Sequence, residues 1–228
     1  MIDLLPAALL FVATHLGISS TRVRPLLVGV LGERGYLAFY SLVSVLTLGY
    51  LIWLYNNLPR YEYLWLPSPE LHGAARLVMP LSLFLVAGAF MVRNPTAVGG
   101  SALLREPHAA ALARGVTRIT RHPFQWGVLI WAGVHMAANG DAQSVVFFAT
   151  FAVVAGLGTV LLDRKAAAAG GDGWRDYAAV TSNVPFAAVL GGRNRLVLRE
   201  LWLPAVVAMA LYAAFTLGHP WVSGVRIV

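Results

Sequence analysis

The chain has 228 residues, 58% of them hydrophobic and 12% charged, with a mean hydropathy of +0.69. Soluble domains hold about 45–50% apolar and about 25% charged residues, so a soluble enzyme is excluded. So are a disordered chain, which needs more charge, and a collagen-like one, because the 22 Gly and 12 Pro follow no three-residue period. The net charge of +7 sits on basic residues placed between apolar segments. That pattern points to orientation in a membrane rather than to nucleic acid.

Six apolar stretches approach the roughly 20 helical residues that cross a hydrocarbon core. They lie near 2–19, 35–56, 75–92, 123–138, 144–162 and 201–217. The fold expected is all-α: a polytopic membrane helix bundle of about six transmembrane helices, forming a single domain over 1–228, with amphipathic segments on the inner face. The first stretch has Asp3, no basic residue in its leader and no A-x-A-like cleavage site, so it is expected to remain as a helix rather than serve as a secretory signal. The fourth and fifth stretches are expected to form a helical hairpin about Ala138-Asn139-Gly140-Asp141-Ala142. Trp53, Trp65, Trp131, Trp202 and Trp221 fall near the ends of spans and read as interfacial anchors.

Of the 17 Lys and Arg residues, 14 fall in the first, third and fifth loops, leaving Arg60, Arg76 and Arg226 for the other side. The positive-inside rule makes those three loops cytoplasmic and both termini periplasmic in a bacterial inner membrane. In the third loop, residues 101–121 mix Leu103, Leu104, Leu112, Val116 and Ile119 with Arg105, Arg114 and Arg118, the pattern of a basic amphipathic segment on the inner leaflet. In the fifth, an alanine run breaks at Gly170-Gly171-Asp172-Gly173 before Trp174 and Tyr177, which suits a loop folded back on the membrane.

With no cysteine, thiolate zinc, iron–sulfur and thiol-nucleophile chemistry are closed. Six histidines remain, and of these His15 and His135 fall inside predicted spans, where a polar ring is costly unless paired or bound. One reading makes them structural, bonded to Ser19 or Thr14 and to Asn139. The other makes them metal ligands: two imidazoles on two helices are a usual supply for haem b, whereas zinc asks for further ligands. At 1.5 Å per residue, His15 lies roughly 20 Å from the outer start of its span and His135 about 5 Å from the outer end of its own. A shared iron therefore requires a first helix that begins outside the core or a recessed fourth. Arg121-His122-Pro123 opens the fourth span, where Pro suits the first turn and Arg snorkels to the headgroups; a cofactor-binding role for Arg121 and His122 is the competing reading. His72, His108 and His219 read as surface residues.

A series of motifs in order along the chain resembles the NnrU family of membrane proteins. They are Ala13-Thr14-His15 with Ser19-Ser20 and Arg24, Leu31-Gly32-Glu33-Arg34, Leu71-His72-Gly73, Gly115 to Pro123, Trp131 to His135, Thr181 to Phe186 and His219-Pro220. The resemblance implies a place in nitrite and nitric oxide metabolism, or kinship with ζ-carotene isomerase, a haem b enzyme that turns a cis double bond trans. It places His15 and His135 at that enzyme's proposed iron ligands and Ala132 where the enzyme has a cysteine. The partners implied are membrane lipid and a lipophilic small molecule.

Two other readings stand beside it. RHP followed by a span and a Gly-x-x-x-Tyr segment is similar to membrane methyltransferases of the isoprenylcysteine and phospholipid type, in which Arg121, His122, Trp174 and Tyr177 would face S-adenosylmethionine. The other reading is a non-catalytic accessory subunit for nitric oxide or nitrite reductase.

Overall fold

A computed structural model describes residues 3–97, 99–169 and 171–224; Ile2, Gly170 and Arg226, on which parts of the expectations above fall, lie outside the described residues. The described chain is helical. Its helices are α1 (Leu5–Val12), α2 (Val23–Asn57), α3 (Pro69–Phe90), α4 (Pro123–Asn139), α5 (Ala142–Ala169), α6 (Gly171–Val180), α7 (Ala187–Leu190) and α8 (Trp202–Ser223). Four of them, α2, α3, α5 and α8, are long and apolar enough to cross a membrane. The first expected span appears as a shorter apolar helix, α1 continued by a π-helical segment at Ala13–Ile18. The fourth is the 17-residue α4, at the lower limit of crossing length.

These helices bury few of their apolar side chains against protein. Val30, Leu77 and Phe90 are each about four-fifths exposed, and a soluble protein does not present such continuous apolar faces to water. In hydrocarbon the same faces cost nothing, while each helix satisfies its own backbone polar groups. The chain is therefore a membrane protein built of apolar helices.

The residues gather into two compact units, one formed by Met1–Ala75 with Ala132–Leu161 and the other by Arg76–Trp131 with Leu162–Val228. In the first unit α1 and its π-helical extension pack on α2. Helix α2 breaks at Gly32, whose φ of 70° lies in the left-handed region that glycine alone enters without a Cβ clash. Arg24, before the break, pairs with Glu33 just after it at 3.1 Å. The expected hairpin forms: α4 ends at Asn139, Gly140 turns with φ 72°, and α5 starts at Ala142. The loop between α2 and α3 lies on that turn, with Leu64 N–H bonding Gly140 O at 2.9 Å and Ala142 N–H bonding Glu62 O at 2.8 Å.

In the second unit the loop before α4 folds onto the loop after α6. Arg121 N–H donates to Ser182 O at 2.8 Å and Phe186 N–H to Ile119 O at 2.7 Å. In both units, then, loops that the charge bias assigns to one side of the membrane are bonded to each other. The basic segment 101–121 is a chain of three short 3-10 turns (Gly100–Arg105, Ala109–Leu112, Gly115–Arg118). It keeps Arg105 and Arg114 exposed while Leu104, Val116 and Ile119 are buried. Its apolar side is covered by protein, because α6 packs on the first two turns with Trp174 and Tyr177 against Leu104, Ala109 and Ala113.

Candidate functional site

His15 sits in the π-helical segment of the first unit, with its ring 4.2 Å from that of Phe11 and 5.8 Å from that of Tyr40, centroid to centroid. Single turns of π-helix recur at functional positions because they release a backbone group from the i→i−4 ladder. Here the carbonyl of His15 accepts from the Ser19 hydroxyl and, at 3.3 Å, from the Tyr40 hydroxyl on α2. Ser19 and Thr14, the partners foreseen for the ring, instead serve backbone carbonyls. The Nδ1 atom of His15 is buried and makes no hydrogen bond to the described residues.

His135 lies on α4 with its ring 4.8 Å from Phe148 of α5. Its foreseen partner Asn139 likewise donates to the His135 carbonyl, at 2.8 Å. A run of aromatic contacts joins the two histidines: His15 touches Phe11, Phe11 lies 5.7 Å from Phe151, Phe151 5.1 Å from Phe147, and Phe147 5.1 Å from Phe148. Tyr55 stacks on Phe147 at 4.1 Å and shares a hydrogen bond with Ser144 at 2.9 Å. The rings are drawn from α1, α2, α4 and α5. Sequence reasoning did not single them out, although the spacing Phe147-Phe148-Phe151 at i, i+1, i+4 places 147 and 151 on one helical face.

The C-terminal end of α4 is covered by the loop that precedes α3. Trp65 donates its indole N–H to Ala137 O at 2.9 Å and the Nε2 of His72 lies 3.0 Å from Ala138 O. These carbonyls have no intrahelical partner at a helix C-terminus. His72, read from the sequence as a bystander, and Trp65, read as an anchor, thus finish the helix that bears His135.

Arg121 and His122 belong to the second unit. The His122 ring is fully buried, with Nε2 2.7 Å from Asp163 Oδ1, and Arg121 Nη1 lies 3.4 Å from Asp163 Oδ2. The Arg121 guanidinium sits 5.2 Å over the Trp174 ring and donates to Thr181 O at 3.2 Å. It does not snorkel outward, as the sequence suggested: only 12% of its side chain is exposed. Burial pushes Arg121 below its usual range and Asp163 opposes that shift; burial also pushes the Tyr177 phenol well above its ordinary value. The Arg121 carbonyl accepts from Asn94 and Thr96, and the Trp126 indole donates to Asn183 O at 2.8 Å. Asp163, which the sequence reading passed over, is the centre of this network. The signal available was a single acid at the end of the long apolar run of α5.

Two imidazoles set among aromatic rings suit a haem, whose macrocycle needs an apolar slot. The buried Nδ1 of His15 is an unpartnered polar atom of the kind a bound group or water accounts for. Among the described residues no three His, Asp or Glu side chains group together as a many-ligand metal cage requires.

A family described as NnrU protein matches residues 3–227. The chain is 26% identical over 235 residues to the 15-cis-zeta-carotene isomerase, chloroplastic, of Arabidopsis thaliana, a match that covers 98% of this chain and 61% of that relative. It therefore spans less than two thirds of the relative's length. No solved structure matches it.

Proposed function

The chain belongs to the NnrU family, and from that premise we infer that it is a multi-pass protein of the bacterial cytoplasmic membrane that isomerises a long apolar polyene, with haem b held by His15 and His135. The observation that carries the reading is the unbroken run of ring contacts from His15 through Phe11, Phe151, Phe147 and Phe148 to His135. A similar protein named for a carotene isomerase supports a lipophilic substrate.

A bound haem would supply a redox-active iron beside the conjugated system. The chain's own residues do the rest. Phe11, Phe147, Phe148 and Phe151 make the surroundings of the two imidazoles apolar and keep water from them. Tyr40 and Ser19 fix the backbone at His15, and Trp65 and His72 fix the end of the helix that carries His135. The basic first, third and fifth loops support an orientation with those loops in the cytoplasm and both termini periplasmic. Arg121 and His122, bonded to Asp163, fix the entrance to α4 in the second unit.

The test is the optical spectrum of protein purified without added haem. A Soret band is expected, lost in His15→Ala and in His135→Ala and kept in His122→Ala. In cells that accumulate a 15-cis carotene, the wild type should convert it to the all-trans form and the first two variants should not. A colourless protein, or a band indifferent to both ligand substitutions, overturns the reading. A nitrogen-oxide role would appear instead as altered nitrite or nitric oxide turnover in a deletion strain with unchanged carotenoids.

A further inference from the structure

The second unit contains a recess of about 320 Å³ lined by Arg114, Arg118, Arg193, Asn194 and small apolar side chains including Ala111 and Val180, a volume within the ordinary range of ligand pockets, about 300–1,000 Å³. Arg121, His122, Trp174 and Tyr177 do not line it. Three arginines line it, and among the described residues no carboxylate does.

The three arginines are held in place. Arg118 Nε and Nη2 bind Glu200 at 2.8 and 3.1 Å, and its Nη1 donates to Asn194 Oδ1 at 2.8 Å. Asn194 in turn donates to Val180 O at 2.8 Å. Arg193 places Nη1 on the carbonyls of Ala179 and Thr181, at 2.8 and 2.9 Å, at the end of α6. Arg114 is tied through Nε to Ala111 O at 3.2 Å. Among the described residues, both terminal nitrogens of Arg114 and the Nη2 of Arg193 have no acceptor. Glu200 offsets one positive charge, which leaves the recess with a net positive charge and spare, oriented N–H donors. Such a set suits the oxygens of a phosphate.

The surroundings identify where the phosphate comes from. The segment that supplies Arg193 and Asn194 is bracketed by Leu190, 86% exposed, and Leu198, 77% exposed, and Trp202 beyond them is also exposed. Large apolar side chains beside a basic recess are arranged for a surface that is hydrocarbon at one level and anionic at the next. Basic pockets on membrane proteins take lipid headgroups for that reason. We propose that this recess binds the phosphate of an anionic phospholipid, with Arg114, Arg118 and Arg193 around the headgroup and Leu190 and Leu198 in the acyl region.

The test uses the full chain purified in detergent and measured by native mass spectrometry against phosphatidylglycerol, phosphatidylcholine and inorganic phosphate. Phosphatidylglycerol should be retained in preference to phosphatidylcholine and should resist millimolar inorganic phosphate. Arg114→Gln should weaken its retention about fivefold, the usual contribution of one basic residue facing an anionic leaflet. Ala111→Glu removes no hydrogen bond of its side chain and brings a carboxylate to the recess; it should weaken retention at least as much, with an unchanged thermal unfolding midpoint. Equal retention of the two lipids, or indifference to both substitutions, overturns the proposal. Displacement by inorganic phosphate also overturns it, by making the ligand a soluble one.

Discussion

His122 and Asp163 lie 41 residues apart and meet at 2.7 Å through Nε2 and Oδ1, with Arg121 on the second oxygen of the same carboxylate. One acid thus fixes two consecutive residues at the entrance to α4. Removing one member of a part-buried charged network leaves the others desolvated and unpaired. Asp163→Ala is expected to lower stability by about 2–3 kcal/mol. Asp163→Asn, which keeps one acceptor, should lose less. The thermal midpoints of the two variants in detergent measure the difference, and equal midpoints would show that an uncharged acceptor at 163 contributes nothing.

A second expectation concerns the hairpin between α4 and α5. Gly140 has φ 72° and its Cα faces the Trp65 carbonyl and indole so closely that a Cβ would clash with both. Gly140→Ala should therefore release the loop that covers α4 and cost about 1–2 kcal/mol from the left-handed backbone alone. Loss of the Trp65 hydrogen bond should appear as a red shift in tryptophan emission. Trp65→Phe removes that fluorophore and separates its signal from the other six tryptophans.

Glu200 provides a pH dependence. Its hydrogen bonds from Arg118 hold its carboxyl below the usual carboxylate range, against a smaller opposing effect of burial. A carboxyl whose folded-state value is depressed contributes stability that is present above the unfolded value of about 4.3 and is lost as pH falls through the lower folded value. Unfolding midpoints of the wild type should fall from pH 5 to pH 3 more steeply than those of Glu200→Gln. Parallel curves would remove Glu200 from the account.

Tyr40 supplies a further test. Tyr40→Phe deletes the hydroxyl that donates to the His15 carbonyl, a neutral hydrogen bond of about 1 kcal/mol. Amide exchange over residues 13–18 should speed up by about fivefold, with the rest of α2 unaffected.

The spans were legible because their signal is compositional. Long apolar runs gave α2, α3, α5 and α8, the pair of residues Gly140-Asp141 gave the hairpin, and Pro123 marked the start of α4. The arginine count grouped the loops that the hydrogen bonds then join. What the sequence concealed were pairings across long separations. Nothing local to His122 announces Asp163, nothing near His72 announces the carbonyl of Ala138, and Thr14, Ser19 and Asn139 look like partners for imidazoles until their bonds to backbone carbonyls are seen. The role of Arg121 was misjudged because an arginine at a span end ordinarily reaches for headgroups, and only the burial of Trp174 and Tyr177 beside it reveals an inward one. The helical stretch of α2 ahead of the break at Gly32 was likewise unseen, since Arg22, Arg24 and Arg34 mark it as a loop between spans.

The π-helical stretch at Ala13–Ile18 also sets a numerical condition on this part of the chain. An α-helix advances about 100° per residue, and a π-turn absorbs one residue more than its α counterpart. Deleting a single amino acid such as Gly17 would let the turn relax to ordinary α geometry and rewind the segment by about that angle relative to α2. The imidazole would stay beside Phe11, four residues before it, but swing off Tyr40 although that partner remained encoded, so the spacing of this segment, as much as its composition, decides which way the ring looks.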